Sequence, residues 1–262
     1  MNARYVEPLD AMIIRTEAVV LRSMDYGETS RIVTLLTREK GKLSVLAKGA
    51  RLPGSRFGSS LQPMSHSQVV FYHKPTRGLQ TLRESAHVRL FSGIGREMEK
   101  IVLGLRMMEL LSALMQEEQC HPPAFNLALE ALERLDAAAA RPANVWAYFQ
   151  LRLASVLGFA PAIDRDAVQA LTEEGGALTL DTGTVRPLET AGGGRRASRS
   201  ALRAFAVFAR ADLDAVMRMR LEPGVRREVE RLVEAYLRYH VEDAYPHRSE
   251  KVSGQLFEKR EP

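Results

Sequence analysis

The chain has 262 residues, 45% of them hydrophobic and 26% charged, an ordinary globular composition that excludes collagen-like and low-complexity classes. Net charge is +5, but it is unevenly placed: residues 1–90 carry 14 Lys and Arg against 7 Asp and Glu, whereas residues 91–262 carry 23 against 25. A basic first third on a neutral remainder is the footprint of a nucleic-acid or other anionic partner, the competing reading being a solvated basic surface with no partner.

The first third reads as strands. A β-rich segment from Ile13 through Ala18, Val19, Val20 and Leu21 ends at the turn signal Asp25-Tyr26-Gly27. Ile32–Thr37 and Leu43–Ala47 flank Arg38-Glu39-Lys40-Gly41-Lys42, a glycine-containing loop of hairpin length. A loop with Gly49, Gly54 and Gly58 follows, and its glycines predict mobility. Gln68–His73 is a fourth strand, Lys74-Pro75-Thr76-Arg77-Gly78 a basic turn, and Leu79–His87 a fifth strand. Five strands without an intervening helix predict a small barrel, of the OB or SH3-like kind.

The period then changes. Ile94, Met98, Ile101, Leu105, Met108, Leu111 and Leu114 form one stripe of a long helix that His121-Pro122-Pro123 should stop. A second helix carries Phe125, Leu129, Leu132 and Leu135. A third carries Val145, Trp146, Phe149, Leu153 and Val156 and closes at Gly158. Residues 158–194 read as a loop-rich insertion with a short strand-like piece at Ala177–Leu180 and room for one small hairpin. Helices resume at Ser198 or Ser200, and Pro223 opens the last one. The expected organisation is an α+β chain: a barrel over 1–88, a helical domain over 89–245 and a polar tail over 246–262. No apolar run approaches the ~20 residues of a membrane span, and 1–11 lacks the apolar stretch of a signal peptide.

Catalytic signatures are missing. There is no Gly-Lys-Ser/Thr loop, no G-x-G-x-x-G opening a helix and no G-x-S-x-G elbow. Six histidines and the lone Cys120 show no zinc-ligand spacing, although His66 and His73 could meet in space. One cysteine excludes an intramolecular disulfide and fits a reducing cytoplasm. The expectation is a protein without an enzymatic centre, cofactor or small-molecule substrate. The positive loops carry more information. Arg38, Lys40 and Lys42 sit on one hairpin, Lys48, Arg51 and Arg56 on the glycine loop, and Lys74 and Arg77 on the turn before the fifth strand. On an OB barrel these cations would track a nucleic-acid backbone, with Tyr26, Phe57, Phe71 and Tyr72 as stacking candidates. Much charge and few aromatics predict sequence-independent, salt-sensitive binding.

The run Glu17 to Glu28, then Arg31 to Thr37, resembles the opening of the bacterial RecO recombination-mediator family. Gly41-Lys42-Leu43-Ser44 and Ala47-Lys48-Gly49-Ala50-Arg51 continue the likeness. Leu157-Gly158-Phe159-Ala160-Pro161 and Leu237-Arg238-Tyr239-His240 resemble later landmarks. The resemblance implies an OB barrel and a helical domain, and a cytoplasmic, nucleoid-associated protein. It also implies binding of single- and double-stranded DNA, strand annealing, and loading of RecA recombinase with RecR. A further implied partner is the acidic C-terminal tail of single-stranded DNA-binding protein. Arg106, Arg134 and Arg152 are candidates to meet it, unless they merely pair with Glu109, Glu130 or Glu133. An OB module serving RNA or a transcription complex is the alternative. Many family members carry a four-cysteine zinc module after the Leu-Gly-Phe-Ala-Pro landmark; here the stretch reads Asp164–Gln169, with Thr179 and Thr182 further on, so no zinc is expected.

Overall fold

The computed structural model describes residues 12–188 and 194–246. Apart from Pro246, the expected polar tail lies outside the described residues, and so does part of the expected 158–194 insertion. Five strands come first: β1 (Met12–Tyr26), β2 (Ser30–Thr37), β3 (Gly41–Ala47), β4 (His66–His73) and β5 (Leu79–Arg89). They close in the order β1-β2-β3-β5-β4, with β3 and β5 parallel and every other pair antiparallel. This is a five-stranded Greek-key barrel of the OB kind. Closure depends on the length of β1, whose first half pairs with β4 and second half with β2. A bulge between Val20 and Arg22 bends the strand between its two partners.

The alternation of β3, buried at Gly41, Leu43, Val45 and Ala47, shows the period-2 pattern directly. Inward residues Ala18, Val20, Val33, Leu35, Val69, Phe71 and Leu82 fill the barrel. The β3–β4 connection is not the mobile glycine loop expected from its composition. Phe57 and Leu61, one helical turn apart, are buried in the barrel core, and the Arg51 amide donates to Thr29 O. Two buried apolar anchors outweigh the freedom of three glycines.

Among the described residues, seven α-helices and three short strands follow: α1 (Met98–Leu114), α2 (Pro122–Ala137), α3 (Ala143–Val156), α4 (Arg165–Gln169), β6 (Gly176–Leu178), β7 (Val185–Pro187), β8 (Arg195–Ala197), α5 (Arg199–Arg210), α6 (Leu213–Arg218) and α7 (Pro223–Val241). Pro122 and Pro123 open α2 instead of stopping α1, which already ends at Leu114; proline lacks only an amide that a first turn leaves unpaired anyway. Ser198 is the N-cap of α5, its side chain accepting from Ala201 N–H, and Pro223 begins α7. No described helix is long and apolar enough to cross a membrane.

Among the described residues, 12–96 and 104–132 form one compact unit, and 97–103 with the remainder from 133 form a second. The division therefore differs from the expected break at 88. In the first unit, residues 112–126 are held on the barrel by polar contacts. Lys42 Nζ donates to Ser112 O at 2.8 Å and pairs with Glu117 at 3.3 Å. Glu118 N–H donates to Lys42 O at 2.7 Å, and Gly41, at φ +66°, lies so close to the Gln119 carbonyl that a Cβ would collide with it.

The second unit has its own core, built from Phe149, Leu153, Phe205, Phe208, Val233 and Tyr236. Buried Asn144 ties it together, donating to Val216 O at 2.9 Å and Met219 O at 3.1 Å and accepting from Arg226 at 2.9 Å. The expected insertion is more ordered than a loop with one hairpin. Its strands β6 and β7 join β8, just beyond it, in a three-stranded sheet in the order β7-β6-β8, preceded by α4. Ala177, Leu178, Val185 and Leu171 are buried there. Each strand is three residues long, too short for period-2 alternation to register in the sequence.

Candidate nucleic-acid interface

The outward positions of the barrel form a continuous cross-strand row. Met24 faces Ile32, Ile32 faces Leu46, Leu46 faces Thr81, Thr81 faces Tyr72 and Tyr72 faces Ile13. Neighbours in such a row lie about 5 Å apart, so the row is one path across all five strands. Ile13 is 51% exposed and Met24 40%, and Tyr26, two residues further along the same face of β1, is 53% exposed. A second row runs Arg22, Thr34, Ser44, Leu79, and a third Arg15, Val70, Glu84. A largely apolar path, exposed at Ile13 and Met24 and half-buried between them, with Arg15 and Arg22 in neighbouring rows, suits bases against the sheet and phosphates beside it.

Two connections bound the face. At one end is the β1–β2 turn, with Gly27 at φ +58°. Asp25 lies beside it and receives two guanidinium groups, Arg31 at 3.2 Å and Arg51 at 3.3 Å. Arg51 also donates to Gly27 O at 2.9 Å. At the other end is the β4–β5 turn of residues 74–78, clamped by buried Gln80. The Gln80 side chain donates to Lys74 O and Arg77 O and accepts from Lys74 N–H, fixing the backbone that presents both cations.

The eight expected DNA-contacting residues divide by environment. Lys40, Arg56, Lys74 and Arg77 have no ion-pair partner among the described residues; Arg56 and Arg77 are exposed, and the Arg56 guanidinium lies 5.1 Å from the Phe57 ring centre. Lys48 is exposed, though its side chain is engaged. Arg51 is half committed to Asp25 and Gly27. Arg38 and Lys42 hold the structure together. Arg38 pairs with Glu17 at 3.1 Å, donates to Asn126 at 3.2 Å and stands 4.7 Å from the Phe125 ring centre. Lys42 retains 12% side-chain exposure.

Of the four stacking candidates, Phe57 and Phe71 are corrected to core residues, while Tyr26 and Tyr72 remain on the outer face. Arg15 and Arg22 lie within β1, and only the register shows that they face outward. Alternation along β1 signals Arg15, whereas the bulge after Val20 obscures it for Arg22.

Burial alone raises the Glu17 carboxyl pKa. Hydrogen bonds from Arg38 and His66, together with their charges, outweigh it and hold the group below its ordinary 4.5. His66 bonds Glu17 at 3.1 Å, and His73 bonds Glu118 at 3.3 Å. The two histidines stand at opposite ends of β4 and do not meet.

The tail-binding candidates are divided between the units. Arg106 belongs to the first. In the second, Arg134 pairs with Asp214, not with Glu130 or Glu133, and Arg152 donates to Ala211 O at 2.8 Å. The zinc-module position supplies no thiolate. Asp164 caps α4 by accepting from Asp166 N–H, and Thr182 bonds Asp181 and Thr184. Cys120, in the first unit, donates to Arg38 O. The residues present do not fit a four-cysteine site, and among the described residues no three His, Cys, Asp or Glu cluster as metal ligands do.

Comparison with known proteins covers nearly the whole chain. The family profile "Recombination protein O N terminal" matches residues 12–91, and "Recombination protein O C terminal" matches 96–250. DNA repair protein RecO of Salinibacter ruber is 58% identical over 245 residues, 93% of this chain and 94% of the relative. That of Chloroherpeton thalassium is 29% identical over 260 residues, 94% and 99% of the two chains. The Bacillus subtilis protein is 33% identical over 153 residues, 58% and 59%.

Proposed function

Because the chain belongs to the recombination protein O family of DNA repair proteins, we propose that it is a mediator without an active site. It binds single- and double-stranded DNA without sequence preference, anneals complementary strands and, with RecR, helps to load RecA. The observation that carries this reading is the apolar row Met24–Ile32–Leu46–Thr81–Tyr72–Ile13 on the basic barrel.

An unstacked strand can lay bases on such a row whatever their identity, since every base has an apolar face. Cations at Lys40, Lys48, Arg51, Arg56, Lys74 and Arg77, joined by Arg15 and Arg22, supply phosphate contacts, which position DNA without reading it. Arg38 and Lys42 are instead bonded within the unit, to Glu17 and Asn126 and to Ser112 O and Glu117. Annealing follows if the face holds one strand extended with its pairing edges free.

The acidic tail of single-stranded DNA-binding protein is the proposed partner of the helical unit, and the protein acts in the cytoplasm at the nucleoid. Annealing of complementary oligonucleotides coated with single-stranded DNA-binding protein tests the reading. The chain should accelerate it, and Met24→Ala with Tyr26→Ala should reduce the rate. No acceleration by unsubstituted protein overturns the proposal.

A further inference from the structure

In the second unit a pocket of about 340 Å³ opens between β8 and α7. Four arginines and two glutamates are its only charged lining residues, so it carries a net charge of +2. β8 supplies Arg195 and Arg196, consecutive in the chain and both exposed. α7 supplies Arg231 and Arg238, about two turns apart, with Glu228 and Glu234. The six charges are not equivalent. Glu234 is committed to Arg238 at 2.9 Å, and Glu228 accepts the Ser198 N–H at 2.8 Å. Arg231 is oriented by an Nε–H bond to Arg227 O at 3.3 Å. Arg195, Arg196 and Arg231 have no ion-pair partner among the described residues. No aromatic side chain lines the pocket.

We infer that this pocket is a binding site for a phosphate monoester dianion. Such a group is carried by small free phosphates and by the terminal phosphate of a nucleic-acid strand. Charge selects it. A monoester carries about −1.5 to −2 near neutral pH and offers three strong acceptor oxygens, which matches the charge of the lining. A backbone diester carries a single negative charge. Guanidinium forks from β8 and α7 pair their donors with the phosphate oxygens, a match that a point charge does not make. With no ring to stack a base, the pocket recognises the phosphoryl group and not a nucleobase. It is built entirely from residues of the second unit, and it binds a phosphate whether or not the barrel binds DNA.

The probes are methyl phosphate and dimethyl phosphate, each titrated with the full chain in low salt and read by phosphorus NMR. Saturable binding of methyl phosphate with a Kd on the order of a millimolar is expected, and dimethyl phosphate should bind at least about tenfold more weakly. Affinity for methyl phosphate should rise from about pH 5 to about pH 7, as its second proton is lost near pH 6. Arg195→Ala/Arg231→Ala protein, altered at two side chains without ion-pair partners, should bind methyl phosphate about tenfold more weakly with an unchanged melting temperature. Arg196→Ala alone, at an exposed strand position, should weaken binding by a smaller factor. No saturable binding of methyl phosphate, equal binding of dimethyl phosphate, or unchanged binding in the substituted proteins overturns the assignment. Two short oligothymidines, labelled at the 3′ end and differing only in a 5′-phosphate, identify the source of the dianion. A phosphate-dependent gain in affinity that vanishes in Arg195→Ala/Arg231→Ala protein assigns the pocket to strand ends. Equal binding of the two, or a gain that persists in that protein, assigns it to small free phosphates.

Discussion

Arg38 and Lys40 are two residues apart and do different work. Arg38 is bonded to Glu17 and Asn126, whereas Lys40 has no ion-pair partner among the described residues. The difference predicts separable phenotypes. Replacing Lys40, Lys74 and Arg77 by alanine should lower the slope of log K against log salt by about two units, at about 0.7–0.9 per phosphate contact, and leave thermal stability unchanged. Lys42→Ala should destabilise the chain by about 1–2 kcal/mol, since it leaves Ser112 O without its donor. Oligonucleotide titrations at several salt concentrations, paired with denaturation, distinguish the two classes. Glu17 adds a pH dependence. Its folded pKa lies below the unfolded value, so its contribution is complete above about pH 4.5 and is lost as pH falls through the folded pKa. Glu17→Gln should flatten the acid limb of the stability curve and leave the neutral region nearly parallel. An unchanged acid limb would show that the Arg38 and His66 contacts do not act on the carboxylate.

At the level of elements, the β4–β5 turn depends on one buried amide. Gln80→Ala removes three hydrogen bonds to residues 74–77, leaving Lys74 and Arg77 in place but their backbone unclamped. DNA affinity should fall several-fold with an unchanged salt slope, because the number of phosphate contacts is retained while their preorganisation is lost. The insertion sheet illustrates another local dependence. Gly176 packs so closely on Arg186 O and the Leu171 side chain that any Cβ collides, and Leu178 and Val185 are buried beside it. Apolar packing holds this sheet, and no thiolate lies within it. Metal analysis of protein purified without chelator should therefore give far less than one zinc per chain, and chelator should not lower the melting temperature. Stoichiometric zinc surviving dialysis would contradict this. Gly176→Val should unfold the insertion with or without added zinc.

For the whole molecule, positive charge is concentrated on one unit. The basic residues of the first third lie on the barrel unit, while the second unit is net neutral. Asn144→Ala should lower the stability of the second unit by about 2–4 kcal/mol, because Val216 O and Met219 O lose donors and Arg226 loses an acceptor. DNA binding at the barrel should survive that substitution at temperatures where the second unit remains folded. Loss of DNA binding in step with Asn144→Ala destabilisation would place the DNA surface elsewhere.

The barrel, the period change near residue 94 and the uneven charge were all legible in the chain itself, because strand and helix periodicities and charge counts are local properties. The run from Glu17 to Thr37 carried the family likeness for the same reason. Other features required the fold. A bulge at Val20/Arg22 reverses which later residues of β1 face outward, so Arg22 and Met24 could not be assigned to the surface by counting alternation alone. Phe57 and Leu61 lie in a stretch whose glycines suggest mobility, yet the open end of the barrel draws them in. Arg38 and Lys42 resembled the other loop cations until the 112–126 segment supplied carbonyl and carboxylate partners from about 70–90 residues away. The apolar row exists only because five strands register around a closed barrel, and the pocket between β8 and α7 only because a strand and a helix pack. Periodicity decides which elements form; distant partners, brought close by packing, decide which charges are bound internally and which remain for a ligand.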